Sequence, residues 1–124
     1  MDRKKQSMIW WIAGIVILGG IIGISIYKKN LPGKYDTFAS CIKESGALFY
    51  GAFWCPHCQE QKALFGNSAK LLPYVECSLP SKAQNQTCDD AGIKSYPTWK
   101  FTDGSVGNGV MTFEQLAEKT QCKL

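Results

Sequence analysis

At 124 residues with a formal net charge of +4, the chain has length for one small domain and too little positive charge to argue for nucleic acid; its basic residues are scattered and form no nucleic-acid motif. Six cysteines are many for a reducing cytosol and even in number, as pairing requires. All six follow the first apolar stretch of the chain.

Residues 1–7 are a basic tail carrying Arg3, Lys4 and Lys5. Met8 to Tyr27 then runs without a charge, and about 20 apolar residues in a helix span a bilayer core. Trp10 and Trp11 stand at one end and Tyr27 at the other, where interfacial aromatics sit. A cleaved signal peptide is the rival reading. Its apolar region is about 7–15 residues long and ends at a small-residue site; here the run is longer and ends in Ser25-Ile26-Tyr27-Lys28-Lys29. The expectation is an uncleaved transmembrane signal-anchor over 8–27. Arg3, Lys4 and Lys5 on one side nearly balance Lys28, Lys29 and Lys34 on the other, so positive charge does not decide orientation. The cysteines do: they place the N-terminus in the cytoplasm and the C-terminal domain on an oxidising side, be it periplasm, cell surface or organelle lumen. Gly19 and Gly23 make a GxxxG whose spacing, in so glycine-rich a segment, reads as incidental.

A linker of breaker residues over 28–34 leads to a domain over 35–124. Tyr35, Phe38, Ala39 and Ile42 recur at helical spacing, with Gly46 at the stop and Cys41 on the flank. Ala47 to Trp54 is a short apolar and aromatic run that reads as a buried strand. A helix follows to Gly66, and Pro73 to Cys77 is a second strand candidate. Ser78 to Thr87 is polar and loop-like, and Cys88 to Gly92 is a short helix or turn. Ser95 to Phe101 alternates into a strand, Asp103-Gly104 marks a hairpin, and Val106 to Val110 is its return. Thr112 and Gln115 fit a capping box, with Met111 and Leu116 at the staple positions; Phe113, Leu116, Ala117 and Thr120 form the inner face of that last helix. Trp99, Phe101 and Phe113 are core candidates. Strands alternating with helices imply an α/β sheet with helices on both faces.

The chemistry concentrates in Trp54-Cys55-Pro56-His57-Cys58. A thiolate, not a thiol, attacks disulfides, and a helix N-terminus offers unpaired N–H groups and a positive dipole end. Pro56 suits the first helical position, which leaves Cys55 at the helix start with its sulfur favoured as an anion. Cys58 lies one turn on, within disulfide reach but turned inward. Cys55 is therefore expected to form the mixed disulfide with a substrate and Cys58 to resolve it. His57, the only histidine, lies between them; as imidazolium it favours the thiolate and hence the reduced dithiol, which makes the disulfide a better oxidant. Its bland alternative is an exposed side chain without a role. Zinc needs a second CxxC-like pair or further histidines at regular spacing, so no metal is expected, and the redox-active cysteine pair needs no other cofactor.

At FWCPHC, with SYPTW about forty residues on, the chain resembles the thioredoxin superfamily. Over roughly Phe38 to Cys122 it is similar to the thioredoxin-like domain joined to bacterial and plant homologues of vitamin K epoxide reductase (VKOR). The resemblance implies a minimal thioredoxin-like fold lacking the first thioredoxin strand. It also implies a cis peptide before Pro97, a substrate site bordered by Tyr96 and Pro97, and, in the fused proteins, electron delivery to a quinone-reducing membrane domain. Trp54 either shapes that site and contacts substrate or packs in the core or at the rim. No such membrane domain follows here, so the expected redox partner is a separate VKOR-like membrane protein. Where the superfamily carries a buried carboxylate six residues before the first active cysteine, this chain has Phe49; Glu60 or water is left as the proton acceptor of the resolving cysteine. Cys77 and Cys88 lie outside the common pattern and are either a structural bridge closing the polar loop or a shuttle pair exchanging with Cys55 and Cys58. Cys41 and Cys122 are candidates for a further bridge.

The expected function is a membrane-anchored thiol–disulfide oxidoreductase that oxidises cysteines of exported proteins. The alternatives are an extracytoplasmic reductase or isomerase, which differs in redox poise, and a non-enzymatic membrane-tethered binding module, against which the intact CxxC argues.

Overall fold

The computed structural model describes residues 2–124. It contains two separate compact units, divided after Leu31. The first is one helix, α1 (Arg3–Asn30), none of whose residues is buried. At 28 residues, with an uncharged run from Met8 to Tyr27, it is long and apolar enough to cross a membrane.

The second unit begins at Pro32. Its elements are α2 (Asp36–Glu44), β1 (Leu48–Gly51), α3 (Pro56–Phe65), a 3-10 turn (Gly66–Leu71), β2 (Tyr74–Glu76), α4 (Gln86–Asp90), β3 (Thr98–Lys100), β4 (Val106–Asn108) and α5 (Phe113–Thr120). The sheet order is β2-β1-β3-β4. β1 runs parallel to β2, pairing Phe49 with Tyr74 and Gly51 with Glu76. It runs antiparallel to β3, pairing Phe49 with Trp99, and β3 pairs antiparallel with β4. This mixed four-stranded sheet flanked by helices is a minimal thioredoxin-like fold without the first thioredoxin strand.

Alternation along β1 separates two cores, because successive strand side chains point to opposite faces. Phe49 stacks on Trp99 at 4.6 Å and joins Phe38, Ile42, Phe65 and Leu116 from α2, α3 and α5. Tyr50 faces the other way, into a smaller cluster with Cys77, Cys88 and Ile93 beneath α4. α2 buries the stripe Phe38, Ala39 and Ile42, and the chain leaves it through Gly46 at φ 82°, a conformation that glycine adopts without cost. α5 carries its capping box: Gln115 N–H donates to Thr112 Oγ1 at 3.2 Å, and Thr112 N–H donates to Gln115 Oε1 at 2.9 Å. Met111 and Leu116 at the staple positions are both buried.

The elements are shorter than the hydrophobic runs. Over 47–54 only Leu48–Gly51 is strand, because Cys55 N–H turns back onto Ala52 O at 3.0 Å and leaves Phe53 and Trp54 in an exposed turn. Over 95–101 only Thr98–Lys100 pairs, since Pro97 has no N–H to donate. α4 starts at Gln86 rather than Cys88 because the Asn85 side chain caps it, accepting from Cys88 N–H at 3.1 Å.

Candidate active site

Cys55 is the N-cap of α3 and Pro56 its first helical residue. The strand-to-helix turn sets this position: β1 ends at Gly51, Ala52 is buried, and the helix starts where proline fits and a strand ladder does not. Cys55 is 5% exposed, and its thiol donates to the Tyr96 carbonyl at 3.7 Å. Tyr96 and Pro97 are joined by a cis peptide, so the loop before β3 lies against the start of α3. Cys58, one turn along, is fully buried. Burial pushes its thiol up to about 12; hydrogen bonding with Cys55 adds to the rise, while a backbone hydrogen bond from Ala52 and the positive charge of Lys62 act against it. Both cysteines are free thiols.

His57 lies on the solvent side of α3, with its Nδ1 3.3 Å from Glu60 Oε2. Glu60 is therefore on the exposed face, away from buried Cys58. Trp54 is 39% exposed; its indole N–H donates to Ser78 Oγ at 2.8 Å, and its ring meets Tyr96 edge-on at 6.0 Å. The Tyr96 hydroxyl donates to Gln84 Oε1, and the Gln84 amide in turn donates to Asp89 and to the Ile93 carbonyl. The polar loop thus braces both aromatic residues beside Cys55. Its ends are joined by the Cys77–Cys88 disulfide, whose two cysteines are fully buried. A second disulfide, Cys41–Cys122, ties α2 to the end of the chain after α5.

Residues not singled out from the sequence complete the site. Gln61, fully buried on the Cys58 side of α3, donates to Met111 O at 3.1 Å and accepts from Met111 N–H at 2.7 Å and Trp99 Nε1 at 3.2 Å. It locks α3 to β3 and to the entry of α5. The signal was present: Cys58, Gln61 and Phe65 form one buried stripe. Gly51 is a second case. A Cβ on it would lie 2.9 Å from Cys58 Sγ and 2.8 Å from Tyr74 Cε2, so glycine is what lets α3 and β2 meet behind the dithiol.

No protein-family model matches the chain. It is 44% identical over 111 residues to the thiol-disulfide oxidoreductase LTO1 of Arabidopsis thaliana, covering 82% of this chain and 29% of that protein. It is 24% identical over 107 residues to a protein disulfide-isomerase of Aspergillus niger, covering 80% of this chain and 20% of that protein. The chain thus spans less than a third of the length of either relative.

Proposed function

We propose that this thioredoxin-like chain is a membrane-anchored thiol–disulfide oxidoreductase that oxidises cysteine pairs in exported proteins. The observation that carries the reading is the placement of Cys55: a thiol at the N-cap of α3, against the cis-Pro loop, with Cys58 buried one turn behind it. The similarity to two named disulfide enzymes supports the same chemistry.

In the oxidising direction a substrate thiolate attacks Cys55 Sγ of the Cys55–Cys58 disulfide. The bond between the two cysteines breaks, and Cys58 leaves as a thiolate and takes up a proton. A second substrate thiolate then attacks the substrate sulfur of the mixed disulfide, which closes the substrate disulfide and releases Cys55 as a thiolate. Two electrons have moved to the dithiol. The substrate chain lies along Tyr96 and Pro97, with Trp54 as the apolar wall. His57, exposed on the first turn beside Cys55, supplies positive charge when protonated and favours the reduced dithiol, which strengthens the oxidant. A VKOR-like, quinone-linked membrane protein takes the electrons and resets the disulfide.

Two further features support the compartment. α1 has the length and apolarity of an anchor, and two disulfides in the domain suit an oxidising environment. The N-terminus is then cytoplasmic and the domain extracytoplasmic.

The test is equilibration of the full chain in detergent with glutathione redox buffers, followed by acid quench and alkylation. A Cys55–Cys58 potential near about −120 mV supports disulfide donation; one near about −270 mV assigns the protein to substrate reduction instead.

A further inference from the structure

Cys58 has to exchange a proton whenever the Cys55–Cys58 bond forms or breaks, yet it is sealed from solvent. β1 offers it no carboxylate: Phe49 is stacked on Trp99, and Gly51 has no side chain. Glu60 faces outward with His57. Among the described residues, Cys55 and Lys62 from α3, Tyr74 from β2 and Tyr96 of the cis-Pro loop interact electrostatically with Cys58; the Tyr96 hydroxyl is turned away toward Gln84, whereas the Tyr74 hydroxyl is turned to Glu76.

The β2 pair is built into the site. Tyr74 and Glu76 are two apart on the strand and share the face opposite Val75. The Tyr74 hydroxyl lies 3.3 Å from the point where a Gly51 Cβ would stand, and Cys58 Sγ lies 2.9 Å from the same point. That hydroxyl donates to Glu76 Oε2 at 2.8 Å. The other carboxylate oxygen, Oε1, accepts from Phe53 N–H at 3.1 Å and Ser78 N–H at 2.9 Å, so Glu76 is held by the active-site turn and by the chain that follows β2. Lys62 Nζ sits 3.4 Å from the centre of the Tyr74 ring.

We infer that Glu76, acting through the Tyr74 hydroxyl, is the proton acceptor and donor for Cys58. The inference rests on the thiol–disulfide reading of the site. When Cys58 attacks a mixed disulfide on Cys55, its thiol proton passes to the Tyr74 oxygen and the phenol's own proton passes to Glu76 Oε2. The Cys58–Cys55 bond forms, the bond from Cys55 to the outer sulfur breaks, and the outer thiolate leaves with the electron pair. In the oxidising direction the same steps run backwards, and Glu76 returns the proton to Cys58 as it leaves Cys55. Tyr74 stays neutral throughout, because burial and the adjacent carboxylate raise its phenol well above the ordinary value. The charge of Lys62 favours the Cys58 anion in passing.

The experiment uses the reduced full chain in detergent with one equivalent of 5,5′-dithiobis(2-nitrobenzoate). The first release of nitrothiobenzoate reports attack by Cys55, and the second, unimolecular release reports attack by Cys58. Glu76→Gln and Tyr74→Phe are each expected to slow the second release about tenfold or more at pH 7, to approach the wild-type rate at high pH, and to leave the first release unchanged. The double variant is expected to be no slower than either single one. Tyr74→Phe keeps the ring under Lys62 and beside Phe49, so it carries the test if Glu76→Gln does not fold. A wild-type second release across the pH range, or a slowing equally large at high pH, overturns the inference. Absence of a second release in the wild-type chain overturns instead the thiol–disulfide reading on which it rests.

Discussion

The Cys55 sulfur and the Tyr96 carbonyl oxygen lie 3.7 Å apart although 41 positions separate them in the chain. That contact joins the start of α3 to the cis-Pro loop and turns two distant segments into one surface. Tyr96 is in turn held by Gln84, and Trp54 by Ser78, so the loop closed by Cys77 and Cys88 stands behind the surface on which a substrate would lie.

The two disulfides are expected to contribute unequally. Cys41–Cys122 closes 81 residues and Cys77–Cys88 closes 11. The loop-entropy relation gives about 4.5 kcal/mol for the first and about 2.8 kcal/mol for the second. Urea denaturation of Cys41→Ser/Cys122→Ser and of Cys77→Ser/Cys88→Ser is expected to show the larger loss in the first pair. Catalytic exchange is expected to suffer more in the second, which frees the loop behind Trp54 and Tyr96.

Gln61→Leu keeps much of the volume and removes every hydrogen bond the Gln61 side chain makes. Trp99 Nε1 and the Met111 backbone are then left buried without their partner. The expected cost is about 2–4 kcal/mol, read as a lower denaturation midpoint with an unchanged slope. A loss within about 0.5 kcal/mol would mean that water replaces the amide.

Gly51→Ala places a methyl group against Cys58 Sγ and the Tyr74 ring at under 3 Å. Overpacking of this kind costs about 1–3 kcal/mol. The variant is expected to be less stable in the dithiol form and slower in the step that uses Cys58. Unaltered stability and rates would show that α3 and β2 do not meet as described.

The pH dependence of stability follows from Cys58. Its thiol is held at about 12 in the folded dithiol form against an ordinary value of 9.0. Between those values the unfolded chain has lost the proton and the folded chain keeps it, so the slope of unfolding free energy with pH is negative. The contribution is complete below about pH 9 and is lost as pH rises toward about 12. Oxidation to the Cys55–Cys58 disulfide removes the titration. Denaturation of reduced and oxidised protein across this range is expected to show a steeper alkaline loss for the reduced form; parallel curves would contradict the burial of Cys58.

Much of the fold was legible because its signals are local. The capping box of Thr112 and Gln115 and the stripe Phe38, Ala39 and Ile42 are patterns of adjacent turns, and each forms where it was read. Cys55-Pro56 likewise reads as a helix start from two neighbouring residues. What surrounds Cys58 was not legible in this way. Tyr74 comes beside it, with Glu76 bonded behind, only through the parallel register of β1 on β2, which no local pattern specifies. Pro73 to Cys77 is legible as a strand, but not what either of its faces meets. The bracing of Tyr96 by Gln84 depends on how a polar loop folds back, and the 3-10 turn over Gly66–Leu71 carries no apolar period by which to find it.

The most direct test of the account is to replace Cys58 by Ser in the full chain, incubate it with a disulfide-bearing protein, quench with acid and alkylating agent, and map the trapped adduct by mass spectrometry. Attack by Cys55 without a resolving thiol leaves a stable mixed disulfide, so the predicted product is a covalent complex joined through Cys55 alone and absent from Cys55→Ser/Cys58→Ser. A complex joined through Cys77 or Cys88, or no adduct while Cys55 remains a free thiol, would contradict it.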